Sequence, residues 1–81
     1  MELYFTTVYT SQHGEGVFVT LSNAKDDFGL SLQLNYKNEN TWDGSIFLVK
    51  ETTPNKICYE ISVRNELSPK KAIFLYKGTI N

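Results

Sequence analysis

Two runs of strict alternation constrain this chain more than any other feature. They are Thr41-Trp42-Asp43-Gly44-Ser45-Ile46-Phe47-Leu48-Val49 and, after one Pro-Asn turn, Lys56-Ile57-Cys58-Tyr59-Glu60-Ile61-Ser62-Val63. Successive side chains of a strand point to opposite faces, so a large apolar residue at every second position marks a half-buried strand. The runs predict two adjacent strands of one antiparallel sheet, with Trp42, Ile46 and Leu48 inward on the first and Ile57, Tyr59, Ile61 and Val63 inward on the second. The only Trp is thereby spent on the core, which leaves less aromatic surface for a ligand. Trp42, Ile46, Leu48, Tyr59, Ile61, Leu32 and Leu34 are expected to be buried together.

The rest of the chain repeats the theme in shorter pieces. Leu3 to Tyr9 predicts a first strand, and the glycines of Ser11-Gln12-His13-Gly14-Glu15-Gly16 predict a turn into a second, Val17 to Leu21, as a hairpin. Ser22 to Gly29 reads as a polar, turn-forming segment. Leu30-Ser31-Leu32-Gln33-Leu34-Asn35-Tyr36 reads as a single one-sided strand, and Lys37-Asn38-Glu39-Asn40 as a solvent loop. Asn65 to Lys70 turns the chain, and Ala72 to Lys77 closes it. No apolar pattern of helical period reaches about ten residues. Six or seven short strands separated by turn signals predict an all-β fold, a small antiparallel β-sandwich of immunoglobulin-like shape. With 81 residues the chain is one small domain, residues 1–81, whose stability is marginal.

Charge and cysteine usage remove several function classes. Eight basic and nine acidic residues, scattered without blocks, give a net charge of −1 and no field to attract nucleic acid or anionic lipid. Lys50, Lys56, Lys70 and Lys71 do not interleave with Tyr59 and Phe74 in the manner of an RNA-reading surface. Cys58 is alone, so no internal disulfide can form, and it reads as a quiet structural thiol without metal partners. The first nine residues lack the basic start and long apolar run of a secretion signal, and no window approaches the length of a membrane helix. A cytoplasmic, soluble module without cofactors is expected.

Candidate chemistry is sparse. His13, the only histidine, sits in a glycine-bearing turn and reads either as a solvated turn residue or as a ring that touches a ligand. Asp26 and Asp27 lie side by side in a loop, with no burial to separate their pKa values into an acid and a base. Gly14-Glu15-Gly16 has no helix after it and cannot cradle a phosphate. What remains is exposed aromatic surface. Tyr36 is followed by Lys37, Asn38, Glu39 and Asn40, and a flat ring flanked by amides suits a neutral sugar, which has apolar ring faces and a hydroxyl edge. Strand-end tyrosines also serve simply to cap a core, with the hydroxyl in water.

Leu3, Phe5, Tyr9 and Ser11, then Gly14-Glu15-x-Val17-x-Val19, Leu32-x-Leu34, Trp42-x-Gly44-x-Ile46-x-Leu48 and Ile57-x-Tyr59-Glu60-Ile61-x-Val63-Arg64 occur in an order that resembles the starch-binding domain of carbohydrate-binding module family 20, as found at the N-terminus of 4-alpha-glucanotransferases. The resemblance covers residues 3 to 66 through short, degenerate motifs. It implies an open antiparallel β-sandwich, a structural role for Trp42, and starch held by aromatic rings at up to two sites. One family site uses a Trp in the loop after the second strand, a Lys between two aromatics and a later Trp. Here Phe28 is the only aromatic of Ser22 to Gly29, Glu60 stands in place of the Lys, and no later Trp exists, which implies that this site is absent or much weakened. The other family site matches Tyr36 directly and His13 by analogy. Leu21 stands where the family usually has a glycine.

Three classes of function follow as expectations. The first is a non-catalytic module, the head of a larger glucan-processing enzyme, that binds α-glucan through Tyr36 and His13 with Asn35, Asn38 or Asn40 satisfying hydroxyls. The second is a structural β-module that docks on a neighbouring catalytic domain without touching sugar. The third, a small enzyme, would need a polar cleft with perturbed titrating groups.

Overall fold

A computed structural model describes residues 1–23, 28–65 and 68–80, with side chains at all of these except 52 and 68–72. Seven strands follow one another: β1 (Glu2–Val8), β2 (Glu15–Asn23), β3 (Phe28–Gln33), β4 (Asn35–Asn38), β5 (Thr41–Phe47), β6 (Ile57–Asn65) and β7 (Ser68–Ile80). A single 3₁₀ turn, Lys50–Thr52, interrupts the connection between β5 and β6. The strands form two antiparallel sheets, one in the order β1-β5-β4 and the other β3-β2-β6-β7. This is a small antiparallel β-sandwich, immunoglobulin-like in its three-plus-four division, with a strand order of its own. Among the described residues no helix is long and apolar enough to cross a membrane. Asp26 and Asp27, together with Glu66 and Leu67, lie outside the described residues.

The inward residues of both sheets meet in one core. Val17, Val19 and Leu21 of β2 stand opposite Val63, Ile61 and Tyr59 of β6, while Phe5, Leu34, Trp42 and Leu48 close over them from the other side. Trp42, Leu48, Ile61 and Leu34 are buried as the alternation requires, and Ile46, Tyr59 and Leu32 pack half-buried against them. The faces are therefore as expected.

The partnerships differ in three places. The Trp42 strand and the Ile57 strand are not neighbours: β5 pairs with β1 and β4, β6 pairs with β2 and β7, and the segment between them crosses from one sheet to the other. β1 and β2 form no hairpin either, because β1 runs against β5 (Phe5 opposite Gly44) while β2 runs against β3 and β6. Finally, the run from Leu30 to Tyr36 is not a single strand. β3 ends at Gln33, the buried Leu34 donates its N–H to the Val17 carbonyl at 2.8 Å, and the chain then enters the opposite sheet as β4. The first and the third share a cause, whereas the hairpin was read from a glycine-bearing turn that here carries a crossing between sheets. Period two reports which face a residue occupies, and both sheets bury the same kind of face.

Lys37 and Asn38 belong to β4 rather than to a loop. The turn proper is Glu39-Asn40, with φ of 48° and 61°, the paired positive values of a two-residue hairpin turn whose twist matches its strands.

Candidate functional site

Tyr36 stands opposite Trp42 in the β4–β5 register, so both rings lie on the same face of their sheet. Trp42 is buried, whereas Tyr36 at the end of the core is 53% exposed. The rings meet edge to face, with centroids 5.4 Å apart and planes at 81°, an arrangement favoured by the aromatic quadrupole. The backbone N–H of Asn40 donates to the Tyr36 hydroxyl at 3.3 Å, so the ring is held at both ends. A braced ring loses little entropy on meeting a ligand.

Tyr9 ties this hairpin to the turn that carries His13. Its N–H donates to the Asn40 carbonyl at 2.8 Å and its own carbonyl accepts the Trp42 indole N–H at 3.0 Å. Its hydroxyl donates to the Glu15 carboxylate at 3.1 Å, and Glu15 in turn accepts the Gln12 N–H at 2.6 Å. Burial first, and then the Glu15 carboxylate beside it, raises the Tyr9 hydroxyl above the ordinary tyrosine pKa. The turn holds His13 in solvent, with Gly14 at a φ of 85° that glycine adopts without strain. His13 and Tyr36 therefore stand on segments that converge on Tyr9.

Asn35, Asn38 and Asn40 are all exposed but do not share one surface. Asn35 stands opposite Asp43 in the register, and alternation places that pair on the outer face, away from Tyr36. There Asp43 accepts the Tyr4 hydroxyl at 2.8 Å and faces Lys37 at 3.6 Å. This carboxylate raises the Tyr4 pKa through the hydrogen bond first. Asn38 pairs with Thr41 after a register shift, and Asn40 is in the turn. Tyr36, Asn38 and Asn40 thus form the compact part of the set.

At the other surface singled out in the sequence, Phe28 packs half-buried against the core and Glu60 pairs with Lys77 at 3.5 Å. Neither offers an open ring with a cation beside it. Cys58 is exposed on the outer face of β6, and among the described residues no group of three His, Cys, Asp or Glu side chains could hold a metal ion.

The sequence reading missed the support of the ring, which comes from Trp42 and Tyr9 across β-sheet partnerships that alternation does not reveal. It also missed a second aromatic group, Phe5, Tyr59 and Tyr76, with centroid distances of 5.6 and 5.8 Å between successive rings. Each strand shows its aromatic in the sequence, but the grouping depends on the β6–β7 register and on β1 lying over β6. No family model matches this chain, and no curated protein or solved structure matches it either.

Proposed function

We propose that this chain is a non-catalytic carbohydrate-binding module that grips starch or another α-glucan weakly and brings an attached glucan-processing enzyme to it. The observation that carries the reading is Tyr36: a half-exposed ring, braced by a buried Trp42 and held by the backbone N–H of Asn40, on the hairpin that also carries the exposed Asn38 and Asn40. Such a ring stacks on the apolar face of one glucose while the amides meet its hydroxyls. His13, on the neighbouring turn, supplies a second surface. One good ring with partial support gives a Kd in the millimolar to high micromolar range, about −4 to −6 kcal/mol.

Titration of the labelled protein with maltoheptaose should shift the amides around Tyr36, Asn38 and Asn40. Tyr36→Ala should abolish those shifts and leave the rest of the spectrum in place. Shifts centred on Phe28 and Glu60, or none at high sugar concentration, would overturn this reading. A second reading, a structural module that docks on a neighbouring catalytic domain, is favoured by the exposed apolar residues Ile73, Phe74 and Tyr76 of β7.

A further inference from the structure

The two sheets are unequal, and the missing strand falls on one side. β1 ends the three-stranded sheet and β7 ends the four-stranded one. Phe5 of β1 packs on Tyr59 of β6, so β1 lies over β6, and β7 beyond it is only partly covered, Leu75 and Ile80 reaching the core. Two inward positions of β7 are consequently open. Tyr76, opposite buried Ile61, is 58% exposed, and Ile73, opposite buried Val63, is 50% exposed. A cleft of about 600 Å³ lies between β1 and the β6–β7 pair, lined by residues 4–8 on one side and by Tyr59, Ile61, Leu75, Tyr76 and Ile80 on the other.

The backbone of β1 has unused capacity on that side. Met1 and Leu48 exchange hydrogen bonds at 2.9 and 2.6 Å, and Tyr9 donates to Asn40 at 2.8 Å. In an antiparallel pair the residues that bond the partner alternate, so Leu3, Phe5 and Thr7 also face β5. The N–H and C=O groups of Glu2, Tyr4, Thr6 and Val8 therefore point to the open edge.

We propose that this cleft is a strand-acceptor site, which takes one extended segment of a partner polypeptide, uncharged and apolar at alternate positions. The segment pairs with the open edge of β1 and covers Tyr59, Leu75 and Tyr76. Two observations select this occupant. None of the described residues that line the cleft is charged, so it complements a neutral apolar face and not a charged segment. The vacancy is also one strand wide. A single strand buries far less than the roughly 800 Å² per partner of a freestanding complex, so the test supplies it tethered.

The full chain is fused at its C-terminus, through a flexible Gly-Ser linker of about fifteen residues, to a short alternating Thr-Val strand. Amide hydrogen exchange at Glu2, Tyr4, Thr6 and Val8 should slow by at least about tenfold relative to the chain alone, while Leu3, Phe5 and Thr7 change little. Thr6→Pro in the fusion should remove the protection and keep the fold, because that N–H is not used within the sheet. Should Thr6→Pro unfold, Tyr76→Lys places a charge in the cleft and should remove the protection equally. Unchanged exchange at the four amides in a folded fusion overturns the proposal. Protection of the unfused chain that rises with protein concentration also overturns it, in favour of a second copy, and so do maltoheptaose shifts centred on Tyr59 and Tyr76, in favour of a sugar site. The site does not depend on the glucan reading, whose failure would show at Tyr36.

Discussion

Truncation of Trp42 should bring this protein close to unfolding. The indole is 8% exposed, and its N–H donates to the Tyr9 carbonyl at 3.0 Å. Removing a buried aromatic costs about 3–5 kcal/mol in lost transfer energy and residual cavity. The orphaned Tyr9 carbonyl adds about 1 kcal/mol where water does not reach it. A chain of 81 residues has a total stability of about 4–12 kcal/mol, so Trp42→Ala removes most of it at the lower end. Trp42→Phe refills much of the cavity without the donor and should cost about 1–3 kcal/mol. Urea unfolding followed by far-ultraviolet circular dichroism, with an amide spectrum of each variant, measures both. A Trp42→Ala protein that stays folded within about 1 kcal/mol of the parent would refute the structural assignment and return the indole to the binding surface.

Gly78 stands opposite Tyr59 in the register, and a Cβ there would meet the Tyr59 ring at its hydroxyl end. Gly78→Ala should destabilise by about 1–3 kcal/mol in urea unfolding, and the cost should shrink in a Tyr59→Ala background; an equal cost in both would place its origin elsewhere. Burial first and then Tyr76 raises the Tyr59 pKa, and burial with Glu15 raises that of Tyr9. The unfolded tyrosines therefore lose their protons first, near pH 10, so the stabilisation is complete below about pH 10 and is lost as pH rises through the folded values. The urea midpoint should fall steadily above about pH 10, and less steeply in Tyr9→Phe; a midpoint flat to about pH 11 contradicts the shifts.

Alternation made the faces of this sandwich legible and left its partnerships illegible. Ile57, Ile61 and Val63 read correctly as inward because a pleated strand cannot place them otherwise. Nothing in that pattern says which inward strand they lie beside. Leu30, Leu32 and Leu34 keep the same period while the chain passes from one sheet to the other, since each sheet presents an apolar face to the shared core. Connection length was the remaining signal, and it misled at the segment between β1 and β2, where a glycine-bearing turn of hairpin size carries a crossing. Tyr36 is exposed as expected, but not for the expected reason: it lies within β4 rather than at a strand end, and it is open because β4 is the last strand of its sheet. Its bracing by Trp42 was not legible, because that contact depends on the β4–β5 register.

Tyr76 shows a deeper limit. Its register opposite buried Ile61 marks it as inward, on the face of Ile80 and, past a bulge, of Ile73, yet it is more than half exposed. An inward side chain is buried only if the opposite sheet extends far enough to cover it, and that extent is a count of strands, which no local pattern contains. The uncovered stripe of β7 and the unused edge of β1 have the same cause, a three-stranded sheet stacked on a four-stranded one. Tyr36 lies at the other end of the short sheet, on β4, two strand spacings or about 10 Å from β1. A glucan on Tyr36 and a strand beside β1 therefore occupy opposite edges of one sheet and do not compete for space. On the two proposals above, β5, paired on both sides and anchored through Trp42 to Tyr9, would separate a ligand at one edge from a polypeptide at the other.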